Sequence, residues 1–320
     1  NFNTENIEFI FSDINIFNAS FSDDLLKLAL YGNFHFQDEN LEFGQTSIRA
    51  DRFQQYKITY SKKIKKINLN AGLSYLAGNH HLSYIIEKGS LYTAPLGTYL
   101  DLEYSMNALI TDTSNFSLFA NNGNGIAIDL STNLSIQKYD IQLSCKNFGF
   151  IIWKNSSISL ANDSTFNFQG IEVDNILNFN DSVLESNSLT NNIIKANNQS
   201  FKSYIPATIH LSISKKIEHQ YMKKYCLGII RKWQPYLDNK PLSFDKINQG
   251  LIESNFSPLY YIHSIFKTKY CDFNPKLSYG GYDNDIDISL ALSKEWKYQF
   301  LLGTNHLESI FSGENAKEAS

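Results

Sequence analysis

The chain's 320 residues include 28 basic and 32 acidic side chains, a near balance that lacks the basic surplus of a nucleic-acid binder. Its mean hydropathy is −0.29, and its longest apolar runs, such as residues 150–153 and 227–230, fall far short of the roughly 20 residues a spanning helix needs. With 42% hydrophobic residues the chain is not disordered by composition, and a β-barrel remains open to it because only alternate strand residues face lipid.

The chain starts at Asn1 and enters a strand-like apolar segment directly, so a processed or truncated start is expected. Ser22, Asp23 and Asp24 precede Leu25, Leu26, Lys27 and Leu28, the pattern of an N-cap, an acidic first turn and one short helix. Five later runs alternate strictly between apolar and polar residues, as strands with two unlike faces do. Residues 67–77 set Ile67, Leu69, Ala71, Leu73, Tyr75 and Ala77 against Asn68, Asn70, Gly72, Ser74 and Leu76. Residues 100–110, 125–137, 208–214 and 285–293 follow the same rule, with Leu109 the exception. Several of these runs reach the 9–11 residues or so of a tilted membrane strand, against about 5–6 for a soluble one. Length therefore favours an antiparallel transmembrane β-barrel over a soluble β-sandwich.

The connections are of two kinds. Residues 62–66, 138–140, 215–220 and 294–297 read as short charged hairpin turns, whereas 174–204 and 234–257 read as long loops rich in Asn, Ser and Asp. The six prolines, Pro95, Pro206, Pro235, Pro241, Pro258 and Pro275, are expected at strand ends or in loops. Tyr139, Trp153, Trp233, Trp296 and Tyr298 stand at predicted turns and strand ends, where an interfacial aromatic girdle would place them.

Little in the sequence specifies chemistry. Cys145, Cys226 and Cys271 are too scattered for a disulfide framework or a zinc site. His80 and His81 would point to opposite faces of a strand, so they are poorly placed to share a metal and read as loop or strand-end polar residues. Asp101 with Glu103, and Asp285 with Asp287, are same-face carboxylate pairs whose spacing would suit acid–base work, but they read better, with Asp129, as the polar lining of a wet lumen. The glycine-rich residues 121–125 precede a strand rather than a helix, so they make no phosphate loop. No catalytic residue, cofactor or metal site is expected.

One resemblance covers nearly the whole chain. It is carried by Asn70-Ala71-Gly72-Leu73-Ser74-Tyr75, by Gly149-Phe150-Ile151-Ile152-Trp153 and by Phe166-Asn167-Phe168-Gln169-Gly170-Ile171. In these the chain resembles an uncharacterised outer-membrane family of Bacteroidota, a domain of unknown function that is similar to fatty-acid-transporter-type barrels. The resemblance implies a single barrel domain over residues 1–320, with about 12–14 strands in the full protein. It also implies that the first strand or strands and the last strand are missing here. The expected location is the bacterial outer membrane, with its lipid as partner and envelope proteins as further partners through the long loops. The expected role is passage or capture of a small or hydrophobic molecule. The alternatives are a structural or docking barrel of an envelope or secretion assembly, and a soluble or surface β-sandwich adhesin.

Overall fold

A computed structural model describes residues 2–307 except 5, 45, 112–116, 118, 169–194, 234–255, 283, 296–298 and 306. Those residues fold almost entirely into antiparallel strands. The first are β1 (Phe2–Thr4), β2 (Ile7–Ser20), β3 (Asn40–Glu42), β4 (Thr46–Ile64) and β5 (Ile67–Thr93). Next come β6 (Leu100–Ile110), β7 (Gly123–Ile136), β8 (Tyr139–Trp153), β9 (Ile158–Phe168), β10 (Lys195–Asn198), β11 (Lys202–Tyr204) and β12 (Ala207–Lys216). The last are β13 (Met222–Trp233), β14 (Ser257–Lys267), β15 (Asp272–Gly281), β16 (Asp285–Glu295) and β17 (Gln299–Thr304). The expected helix is α1 (Asp23–Tyr31), whose first turn is capped where the Leu25 amide donates to Ser22 Oγ at 3.2 Å.

The strands form one meandering sheet. Each strand hydrogen-bonds to the one before it along the wall, from β1 and β2 through β4, β5, β7, β8 and β12 to β17. Among the described residues no pairing joins β17 to β1 or β2. At 27 residues β5 is much longer than an ordinary strand, and it changes partner along its length. Its first part, Ile67 to Gly78, pairs with β7, and its last part, Leu82 to Thr93, pairs with β6. Thus β6 and β7 are two pieces of one pass through the sheet. The same holds for β8 and β9, and for β10, β11 and β12.

The interruptions fall at one level and are stitched by side chains. Asn79 Nδ2 donates to the Ala120 carbonyl at 2.6 Å, and Asn122 Nδ2 donates to the Asn79 carbonyl at 2.8 Å. Pro206 separates β11 from β12, because it has no N–H to offer the ladder. At the opposite ends of the strands the connections are tight. Lys65 and Gln137 take positive φ, 54° and 55°, in two-residue hairpins that join β4 to β5 and β7 to β8.

Two sequence expectations change here. Pro275 lies inside β15 opposite Leu290, not at a strand end, whereas Pro258 stands at the start of β14, beside a register shift, as expected. Pro235 and Pro241 lie outside the described residues. Of the connection 174–204, Lys195–Asn198 and Lys202–Tyr204 are strands. The remainder of it up to residue 194, and residues 234–255, lie outside the described residues.

The candidate functional site: an exposed belt and a buried charged cluster

Alternation gives the sheet two chemically different faces. On the outer face, the row Phe9, Ile58, Leu73 and Ile128 crosses β2, β4, β5 and β7. The row Leu211, Ile229, Tyr260, Tyr279 and Ile286 continues across β12 to β16. These are large apolar side chains, yet most are solvent-exposed: Leu73 by 61%, Ile128 by 42%, Leu211 by 46% and Ile286 by 53%. Exposed apolar area this continuous is uncommon on a soluble monomer, where patches rarely exceed a few hundred Å².

The belt has borders. Above it the outer face turns polar at Asp13, Asn15, Arg52, His80 and Asn124, with Arg52 Nη2 paired to Asp13 at 2.9 Å. Just beneath that border run aromatic side chains. The ring of Tyr56 lies 5.1 Å from Phe11 and 6.1 Å from Tyr75. Trp233 stacks on Phe148 at 5.4 Å and meets Tyr204 at 6.0 Å, while the Lys202 ammonium sits over the rings of Phe150 and Tyr204. Below the belt the turns are rich in lysine, and Lys215 lies over the ring of Tyr139 at 5.3 Å. Tyr139 and Trp233 therefore stand at opposite borders of the belt.

Trp153 does not belong to this girdle. It points to the inner face and is 1% exposed, with its indole N–H donating to Ser203 Oγ at 2.8 Å. Around residues 148–153 both faces are apolar, so a position at a strand end does not decide which side the ring takes. Trp296 and Tyr298 lie outside the described residues.

The inner face is filled at the level where the strands break. Phe53, Leu76, Leu109, Ala127, Ile151, Trp153, Phe201 and Ile205 form one buried cluster. A charged chain is embedded in it. Arg49 Nε donates to Asp51 Oδ2 at 2.6 Å, and Asp51 Oδ1 meets His81 Nδ1 at 2.6 Å. His81 Nε2 lies 3.1 Å from Ser83 Oγ. The His81 ring sits 5.1 Å from Phe201 and 5.5 Å from Trp153. His81 is thus a mid-strand core residue, not a loop or strand-end residue, and His80 points to the other face as expected.

The order carboxylate, imidazole, hydroxyl matches a hydrolytic relay, but the arrangement is sealed. The His81 and Asp51 side chains are 0% and 1% exposed, and Arg49 already neutralises the carboxylate. What this chain does is pin strands together. The ion pair with Arg49 and the contact with His81 Nδ1 at one carboxylate satisfy a charge whose isolated burial would be very costly.

The predicted lumen residues sit as follows. Asp129 is half-buried on the inner face, paired with Lys57 and accepting the Asn147 amide at 2.7 Å. Asp101 and Glu103 lie on β6 on the same face as buried Leu109, above the cluster. Asp287 lies on the face of β16 opposite Ile286 and Ile288. Asp285 is exposed at the tip of β16, where it accepts the Ile286 amide at 2.7 Å. They do not converge on one point. Among the described residues no group of three His, Cys, Asp or Glu is placed to hold a metal ion, and no helix is long and apolar enough to cross a membrane.

Outside the wall, α1 is tethered to β3. Lys27 Nζ donates to Asp24 at 2.8 Å and the Glu42 amide donates to the same carboxylate at 3.0 Å, which holds Asp24 below the ordinary carboxylate range.

These features define a class: a long-stranded antiparallel meander with an exposed apolar outer belt and a filled inner face. Residues 4–269 match the model of a family of unknown function, DUF5723, and the chain belongs to that family. Searches of curated proteins and of solved structures found no match.

Proposed function

We propose that the chain is the wall of a transmembrane β-barrel of a bacterial outer membrane that captures or passes a small or hydrophobic molecule. The observation that carries the membrane part is the bordered apolar belt. On β5 it runs from Ile67 to Ala77, eleven residues, or about 36 Å of strand, which at the usual tilt spans a bilayer core of about 28 Å. A soluble sheet would cover such a face with a second layer, and among the described residues no other sheet packs on it.

The part of β5 beyond His81 would then stand clear of the bilayer. The filled cluster at Trp153 and His81 would narrow the lumen at the membrane surface. That favours a gated capture site over free diffusion. It also suits the second reading, a barrel that docks partner proteins, which the exposed Leu30, Tyr31 and Phe34 around α1 support. No catalytic step is assigned.

The test is refolding of the full chain into phosphatidylcholine vesicles. Insertion with heat-dependent gel migration supports the barrel, and recovery of a folded, lipid-free protein in the soluble fraction overturns it. Small-molecule uptake or conductance that appears only when the inner cluster is weakened, as in Trp153→Ala, separates gated passage from docking.

A further inference from the structure

We infer that the turns below the belt form a cationic ring that selects anionic phospholipid headgroups in the adjoining leaflet. This rests on the membrane reading and adds to it an orientation and a lipid class.

The ring is defined by the topology. Six connections meet at this end: the turn between β1 and β2 at Asn6, 62–66, 137–140, 215–224, 267–272 and the close of β16 at 294–295. They are neighbours, because the Ser135 amide donates to the Lys66 carbonyl, Lys216 to that of Lys138, and Lys267 to that of Tyr221. Their described residues contain twelve of the chain's 28 basic residues but only four of its 32 acidic ones, Asp140, Glu218, Asp272 and Glu295. The described residues of these turns are therefore strongly basic, although the chain as a whole carries an acidic excess.

Internal pairing uses only part of this charge. Lys216 pairs with Asp140 at 3.1 Å, Lys223 with Asp272 at 2.6 Å and Lys138 with Glu218 at 3.5 Å. Lys62, Lys63, Lys65 and Lys66 are exposed and have no acidic partner among the described residues. Four like charges within five residues repel one another, which costs stability unless a counter-charge is supplied from outside.

Position identifies that counter-charge as lipid. Lys62 lies on the outer face two residues below Tyr60 and opposite Leu69, and Lys215 lies on the outer face below Ile213 and over Tyr139. Both stand directly under the apolar belt, where their stems can follow acyl chains and their ammonium groups meet phosphates. An acidic protein partner would need the charges to face away from the wall. Here the outermost ones border it.

The test uses the full chain in vesicles of phosphatidylcholine with a minor fraction of phosphatidylglycerol, and spin-labelled lipids that report the shell around the protein. We expect spin-labelled phosphatidylglycerol to be enriched at least twofold over spin-labelled phosphatidylcholine. The enrichment should fall toward one in a quadruple K62Q/K63Q/K65Q/K66Q variant and in high salt, with insertion unchanged. Equal partitioning of the two lipids around the wild type overturns the inference but leaves the membrane reading standing, as does an enrichment that the quadruple variant retains. Failure to insert into phosphatidylcholine alone overturns both. If the quadruple variant does not insert, Lys215→Gln with Lys216→Gln in the neighbouring turn provides the same comparison.

Discussion

The Arg49 side chain on β4 donates from Nη2 to the Tyr204 carbonyl on β11 at 2.5 Å. Between those strands lie β5, β7 and β8. Four strand spacings amount to about 19 Å across a flat sheet, far beyond the reach of an arginine. The contact exists only because the sheet curls sharply around its inner face. The same curl brings His81 on β5 against Phe201, and it gives the buried cluster its shape.

Breaking that charged chain should be expensive. Arg49→Met leaves the Asp51 carboxylate buried without its guanidinium and should lower unfolding stability by about 3 kcal/mol or more. Adding Asp51→Leu removes the stranded charge, and the double variant should recover a clear part of the loss. Urea-unfolding midpoints of Arg49→Met, Asp51→Leu and the double variant in one lipid or detergent system decide this. Additive losses would mean that Arg49 and Asp51 are not coupled.

The outer belt makes an opposite prediction for a residue that looks harmless. Leu73 is 61% exposed, so Leu73→Arg on a soluble protein would cost almost nothing. In mid-bilayer the same change should cost about 2–4 kcal/mol and sharply reduce the inserted fraction in vesicles. Gel migration before and after heating measures that fraction.

Trp153 requires glycine beneath it on two neighbouring strands. A Cβ added at Gly78 would lie 2.6 Å from its ring, and one at Gly123 would lie 2.7 Å away. Gly78→Leu should destabilise the fold by about 1–3 kcal/mol through overpacking. Pairing it with Trp153→Ala, which vacates the space, should return part of that stability in the same unfolding assay.

The α1 tether should respond to acid. Asp24 titrates below its ordinary value when folded, so its contribution is fully present above the unfolded carboxylate pKa of about 3.9 and is lost as pH falls through the lowered folded value. The hydrogen-exchange protection of the Glu42 amide, corrected for intrinsic rate, should therefore drop only in acid. In Asp24→Asn it should be low at all pH values.

Most of the wall is legible in the sequence because one side of it is uniformly apolar. Leu69, Leu73, Ile126, Ile128, Ile209 and Ile286 all fall on the outer face that alternation alone assigns them. Alternation fails where both faces are apolar. In Phe148-Gly149-Phe150-Ile151-Ile152-Trp153 it cannot tell the lipid-like side from the packed one, and Trp153 takes the packed side rather than the girdle. Arg49, Asp51 and His81 escape a sequence reading for the converse reason. A charged residue on an inner position looks like any wet lumen residue until a distant segment, here Phe201 to Ile205, closes over it. The spacing of Arg49 and Asp51 at i and i+2 is the available signal. The common level at which the passes break has no local marker except Pro206, since its asparagine stitches join residues about 40 positions apart.

Three native cysteines offer the most direct test of the membrane claim. Cys145 lies in the outer belt opposite Leu130 and Ile209, Cys226 is buried toward the inner face, and Cys271 lies in a turn below the belt. Variants keeping one cysteine each would be placed in phosphatidylcholine vesicles with a charged maleimide on both sides of the bilayer. Cys271 should react promptly, while Cys145 should stay unmodified until the vesicles are dissolved and the protein is unfolded. Reaction of Cys145 in intact vesicles at a rate like that of Cys271 would contradict the assignment of the apolar belt to lipid.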